Sequence, residues 1–378
     1  MKRNVYNFPD VHNDRIVGLD IIRSVSIIQI LWIHGSLLIP ESDRRLYLLS
    51  FPILINGVSI FFVLSGFLIG NILLKTFFQT HYYLNDIKHF WIRRWFRTLP
   101  LYYLILLILF CLQYFLTGNA GNFNWKFLFF GQNLTRTHPI AFQEAWSLSV
   151  EEWFYLLLPI LVYSFHRVIP KKNTTIILTI LVLICLPLIG RLTLDYWGYN
   201  RLRDVVPFRF DSLGMGVAGA YIARRWPDLF FRMRYKLLII AILLTILNTF
   251  LLLNATWKIN QNPFYYFMEA FSILCFFPYF SNLRKTKFSW FNNIVVFISV
   301  ISYSLYLTHS TAIRGYLLPW INNLLKLNPT DLSINWKLNL FLYWSLSLLI
   351  ATLLYKYYEK PMTSLRDRFS PHKKRESV

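Results

Sequence analysis

Ten long, mostly apolar runs decide what this chain can fold into. They fall at 16–39, 51–74, 99–116, 146–165, 174–194, 205–223, 237–253, 263–280, 292–313 and 336–357. Crossing the hydrocarbon core of a bilayer takes roughly 20 apolar residues of helix. Backbone polar groups in lipid must bond within their own segment, so repeated runs of this length read as membrane helices. The sequence therefore predicts an all-α, polytopic integral membrane protein with about ten transmembrane helices. The first run is too long for a cleaved signal peptide, and it follows a polar segment that holds Asp10 and Asp14. We expect residues 1–15 to form a short N-terminal segment, 16–361 the membrane domain and 362–378 a basic tail. The longest loops, near 117–145 and 314–335, are too short for a further soluble domain. No internal repeat stands out, which speaks against an inverted-repeat transporter.

Charge supports the same class. Lys and Arg number 39 against 18 Asp and Glu, a formal net charge of +21, yet only 15% of residues are charged. A nucleic-acid binder would be basic but not this apolar. A disordered basic chain would lack the 34 Phe, 23 Tyr and 13 Trp. Nucleic acid is thus excluded as a partner, and membrane lipid is expected as one. The three Cys lie inside apolar runs and form no disulfide framework. No paired His or Cys spacing suggests a metal site.

The basic residues also orient the helices. If the N-terminus faces the cytoplasm, 26 of the 39 fall in inner segments and 10 in outer ones. Lys and Arg resist translocation, so the expected topology has both termini cytoplasmic.

Ionisable groups inside a span cost at least about 2.5 kcal/mol on insertion scales and are candidate functional groups. The first span carries Asp20, Arg23 and His34 on one stripe. His34 follows Arg23 by three turns and about 20°, which places it about 16 Å further along the axis. Asp20 and Arg23 are i, i+3 neighbours and read as an ion pair. In the assumed orientation His34 lies in the outer half. Glu151 and Glu152 of the fourth span, Arg209 and Asp211 of the sixth, Glu269 of the eighth and His309 of the ninth fall at a similar level. For Glu269 and Arg209 a solvated interfacial position is the plainer expectation. Trp146 and Ser147 open the same fourth segment.

The inner side differs. Arg93, Arg94 and Arg97 cluster before the third span, interleaved with Trp95 and preceded by Trp91. Arginine forks suit phosphate, although such a cluster also serves as a membrane anchor. Ser65 and Gly66 permit a close helix contact. Glu359 sits at the cytoplasmic edge of the last span, where Pro361 is expected to stop the helix.

Seven segments occur in an order that resembles membrane-bound acyltransferase family 3: GLDIIRSVSIIQILWIHG, FFVLSGFLIG, FWIRRWFRTLP, WSLSVEEWFYLLLP, RFDSLGMG, ISYSLYLTH and YEKP. The family's Arg, ten residues, His pattern is matched by Arg23 and His34, and its spaced arginines by Arg93, Arg94 and Arg97. The resemblance covers roughly residues 15–361 and is to stand-alone members, without the fused extracytoplasmic domain that many carry.

The resemblance implies transfer of an acyl group, commonly acetyl, from cytoplasmic acyl-coenzyme A as co-substrate, with no permanently bound cofactor. The acceptor it implies is a hydroxyl of a surface polysaccharide or lipid-linked glycan precursor, at the bacterial inner membrane. On this reading Arg23, Arg93, Arg94 and Arg97 bind the donor. His34 is general base or acyl carrier, and Glu151 or Asp211 orients it. Asp20, Ser65, Gly66, Trp146, Ser147, Glu152, Arg209, His309 and Glu359 support the site. A small glycoside acceptor, such as a macrolide, and a flippase for glycan intermediates are the alternatives. The sequence leaves the oligomeric state open.

Overall fold

The computed structural model describes residues 15–49, 55–79, 84–135, 137–194, 204–253, 264–326 and 332–369. The N-terminal segment before Arg15 and the tail beyond Phe369 lie outside the described residues. Fourteen α-helices follow one another: α1 (Val17–Gly35), α2 (Glu41–Leu49), α3 (Gly57–Gln79), α4 (Leu84–Thr117), α5 (Ala145–Val168), α6 (Lys172–Leu194) and α7 (Phe210–Arg225), then α8 (Pro227–Arg232), α9 (Arg234–Leu253), α10 (Tyr265–Asn282), α11 (Ser289–Thr308), α12 (Leu318–Leu324), α13 (Leu332–Leu354) and α14 (Lys360–Phe369). Two π-helical segments, His309–Leu317 and Tyr355–Glu359, join α11 to α12 and α13 to α14. No strand occurs among the described residues.

Among the described residues, each of the ten apolar runs contributes a helix, and eight helical segments are long and apolar enough to cross a membrane. The runs at 205–223 and 263–280 fall short for physical reasons. Helix α7 has 16 residues, a rise of only about 24 Å. Helix α10 has 18 residues and carries Glu269, which lowers its hydropathy. Both pack inside the bundle: α7 lies along α3, and α10 touches α1, α3, α7 and α9.

Hydropathy also underestimated two helices, because a helix continues past the point where its apolar face ends. Helix α4 starts 15 residues before the expected span, so Arg93, Arg94 and Arg97 belong to the same continuous rod as the apolar run. Pro361 does not stop the last helix. It follows the π-helical segment Tyr355–Glu359 by one residue, where the wider winding of the backbone takes it in, and the chain stays helical to Phe369.

Helix α3 is the most enclosed candidate span and meets α7 backbone to backbone. A methyl group on Gly66 would lie 2.0 Å from the Leu213 carbonyl oxygen, and one on Gly216 would lie 2.2 Å from that of Val63. Small residues drive such packing in lipid. Gly66→Ala is therefore expected to lower the melting temperature in detergent or prevent accumulation, since overpacking costs about 1–3 kcal/mol. Gly131→Ala, whose added carbon meets nothing nearer than 3.7 Å, is expected to melt like the parent. Equal melting of the two variants would contradict this account of the α3–α7 seam.

Between α4 and α5, the loop is pinned by His138, whose Nε2 donates to the Phe142 carbonyl at 2.7 Å. Burial pushes this imidazole down to about 4. The unfolded state, near 6.5, binds the proton more readily, so the stability His138 contributes is present above about pH 6.5 and is lost as pH falls toward 4. Protection factors of the amides at 137–144, taken relative to intrinsic exchange at each pH, are expected to fall over that window. His138→Gln should remove the dependence; a profile unchanged by the substitution would assign it elsewhere.

Candidate active site

The end of α1 and the π-helical segment after α11 bring His34 and His309 together. His34 Nδ1 lies 2.7 Å from His309 Nε2, with the ring planes 7° apart. The partners define the tautomers. His309 Nδ1 faces the carbonyls of Leu305 at 3.1 Å and Tyr306 at 2.8 Å. Carbonyls only accept, so Nδ1 carries the proton and Nε2 is the accepting nitrogen of a neutral ring. His34 Nδ1 therefore donates to it, which leaves His34 Nε2 as the basic nitrogen. His309 is completely buried, whereas His34 is partly exposed. The one-residue bulge of a π-segment is a frequent device at functional sites.

Glu144 stands behind this pair, at the N-terminus of α5. Its carboxylate accepts from the Ser310 N–H at 2.9 Å, the Thr311 N–H at 2.7 Å and the Thr311 hydroxyl at 2.5 Å. Its Oε1 is 4.0 Å from His309 Nδ1. The sequence reading missed Glu144, because it precedes the apolar run and reads as a loop residue.

An open cavity lies among α1, α3, α4, α5 and α11. Arg23, Arg94 and Arg97 line it together with a single carboxylate, Glu151. Arg97 is exposed. At the other end stand Ser147 and Tyr306, whose hydroxyls are 2.5 Å apart. Tyr306 thus has its hydroxyl on the cavity and its carbonyl on His309. The Arg94 guanidinium lies 4.1 Å over the Tyr155 ring, bonds its hydroxyl and is 3.8 Å from Glu151. Ser65 also bonds the Tyr155 hydroxyl, which donates to Glu151 at 2.8 Å. Tyr155 is a second residue that the sequence reading missed, hidden among the aromatics of its span.

Several expected partners change. Asp20 does not pair with Arg23. It accepts from Arg15 at 2.6 and 2.8 Å and from Ser299 at 2.5 Å, because it faces α11 and the start of α1, while Arg23 faces the cavity. Neither Glu151 nor Asp211 orients His34. Glu151 belongs to the arginine cavity, and Asp211 is held by Arg191 at 2.5 Å. Height along the membrane normal places these carboxylates near the histidine, but their direction around the helix axis does not. Arg209 and Glu269 are not solvated at an interface. Arg209 is fully buried over the rings of Phe62 and Tyr266 and donates to Ser59 at 2.9 Å, and Ser59 donates to Glu269 at 2.5 Å.

Of the remaining candidates, Glu152 is buried near Arg94, Trp146 packs edge-on against Phe62, and Gly66 serves the α3–α7 seam. Glu359 accepts from Ser304 at 2.6 Å. Arg93 is exposed and is not among the cavity-lining residues. Among the described residues no group of three or more His, Cys, Asp or Glu is placed to hold a metal ion.

A family model described as an acyltransferase domain matches residues 16–356. The chain belongs to this acyltransferase family. The matched acyltransferase domain contains both histidines, Glu144 and every residue that lines the arginine cavity. The peptidoglycan O-acetyltransferase OatA of Listeria monocytogenes is 34% identical over 141 residues, covering 33% of this chain and 22% of the relative. A candidate O-acetyltransferase of Staphylococcus aureus strain COL is 26% identical over 345 residues, covering 79% of this chain and 50% of the relative. A candidate peptidoglycan O-acetyltransferase of Bacillus subtilis, YrhL, is 29% identical over 199 residues, covering 46% and 28%. The chain spans at most about half the length of these relatives. No solved structure matches it significantly.

Proposed function

We propose that this chain is an integral-membrane O-acetyltransferase that moves an acetyl group from acyl-coenzyme A to a hydroxyl of a surface polysaccharide or its lipid-linked precursor. The observation that carries this reading is the arginine-lined cavity, which ends at Tyr306, the residue whose carbonyl bonds His309. Three arginines against one carboxylate favour a polyanion such as the phosphates of coenzyme A. The distribution of basic residues orients the Arg97 end toward the cytoplasm and the histidine pair toward the outer face of the bacterial inner membrane.

The chemistry follows from the tautomers. His34 Nε2 takes the proton of the acceptor hydroxyl as the oxygen attacks the thioester carbon. The tetrahedral intermediate collapses, the C–S bond breaks, and the leaving thiolate recovers the proton from His34. A positioned base of this kind contributes roughly 10²- to 10⁴-fold. His309 keeps His34 in the productive tautomer, a role taken by a carboxylate in other histidine-based sites.

The test uses purified protein in lipid nanodiscs with labelled acetyl-coenzyme A and isolated envelope glycans. Coenzyme A release that depends on the glycan, with label recovered as alkali-labile ester, is the expected result. Glycan movement across the bilayer without thioester cleavage would favour a flippase instead. Acetylation of a small glycoside but no polymer would move the acceptor to that class.

A further inference from the structure

If His34 alone held the proton during attack, the positive charge would stay on the more exposed ring. The geometry offers a second step. His34 Nδ1 already donates to His309 Nε2, so the His34 Nδ1 proton can cross to His309 as Nε2 gains the acceptor's proton. The charge then rests on His309, which no solvent reaches. A buried cation needs a compensating partner. Around His309 the charged and titratable groups are His34, Tyr306, Arg314 and Glu144. Of these Glu144 is the one carboxyl group, 4.0 Å from Nδ1. Burial raises the pKa of its carboxyl, and three donors with no acceptor surround it, bonds that work against that rise.

We propose that Glu144 is a positioning residue and counter-charge for a two-proton relay, in which the acceptor hydroxyl passes its proton to His34 while His34 passes one to His309. The proposal rests on His34 acting as base. Its balance is closed. The hydroxyl proton goes to His34 Nε2, the Nδ1 proton goes to His309 Nε2, and the alkoxide oxygen bonds the thioester carbon. As the C–S bond breaks, the thiolate takes the Nε2 proton and His309 returns the other to Nδ1. Ester and thiol leave, and both histidines and Glu144 end as they began. Glu144 never touches the substrate. It acts by making the buried imidazolium tolerable and by holding the first N–H groups of the π-helical segment, which fixes where His309 starts.

Glu144→Gln keeps a carbonyl oxygen for the Ser310 and Thr311 N–H groups and removes the charge. In single-turnover reactions with acetyl-coenzyme A and envelope glycan, it is expected to slow transfer about 100-fold, with the donor concentration dependence unchanged within twofold. Glu144→Asp, which restores the charge, is expected to recover part of the rate. The parent protein supplies an independent readout. In mixtures of light and heavy water its transfer rate should curve with deuterium fraction, as two protons in flight require, and Glu144→Gln should make the dependence linear. A linear dependence in the parent overturns the relay even where Glu144→Gln does not insert. An inserted Glu144→Gln within threefold of the parent rate overturns it as well. An active His34→Ala would instead remove the base on which the relay rests, and an inert His34→Ala beside a linear parent would remove the relay alone.

Discussion

His34→Ala is expected to lose acyl transfer by about three orders of magnitude, within the range contributed by a positioned acid–base group, while inserting at parental levels. His34 is partly exposed at the end of α1, so truncating it opens space at a surface and leaves the bundle's packing alone. His309→Ala should be milder, about 100-fold. It leaves the imidazole of His34 in place and removes what selects its tautomer. The measurement is ester-linked acetyl on isolated surface glycans from cells expressing each variant, normalised to inserted protein, followed by the same comparison in nanodiscs. Acetylation by His34→Ala equal to the parent would overturn the assignment of the base. A His309→Ala variant as active as the parent would mean that something else sets the tautomer of His34.

Arg94→Ala is expected to weaken donor use much more than turnover. A hydrogen bond to a charged group is worth about 1.5–3 kcal/mol, roughly 10- to 150-fold in the donor's apparent affinity. Truncation also strands Glu151 and the Tyr155 hydroxyl, which Arg94 engages together, so some loss of stability accompanies it. The double variant Arg94→Ala, Glu151→Gln separates the two effects, because it removes the stranded charge without restoring the cation. It should recover thermal stability and keep the raised KM for acetyl-coenzyme A. Arg94→Lys should recover only part, since an ammonium cannot lie flat over the Tyr155 ring as the guanidinium does at 4.1 Å. An acetyl-coenzyme A dependence unchanged in Arg94→Ala would return this arginine to a structural role.

The helical class was legible because twenty apolar residues in a row leave few other folds open in lipid. Helix ends were less so. The hydropathy of α4 falls away where the bilayer would end, but nothing in Asn85–Arg97 breaks a helix, and the rod runs on. The residues of the site were largely visible as charges out of place, His34, Arg23 and Arg94 among them. Their partnerships were not. Span counting fixes how deep a residue lies and is silent on which neighbour its side chain meets. Glu151 and Asp211 share a level with His34 and bond elsewhere, whereas His309 arrives from 275 residues away. Asp20 was paired with Arg23 by sequence spacing, yet Arg15, outside the apolar run, reaches it first. Glu144 carried no signal of its own, since a carboxylate just before a span is ordinary at a membrane surface.

That 275-residue separation has a consequence for biogenesis. A membrane chain is inserted from its N-terminus, so α1 takes its place with His34 long before His309 has been synthesised. Tyr306, at the end of the arginine cavity, comes equally late. A nascent or stalled intermediate therefore holds Arg23 and Arg94 before the His34–His309 pair can form. The pair is completed only when α11 and its π-helical extension dock against α1, so insertion of the last quarter of the chain sets when the site is assembled.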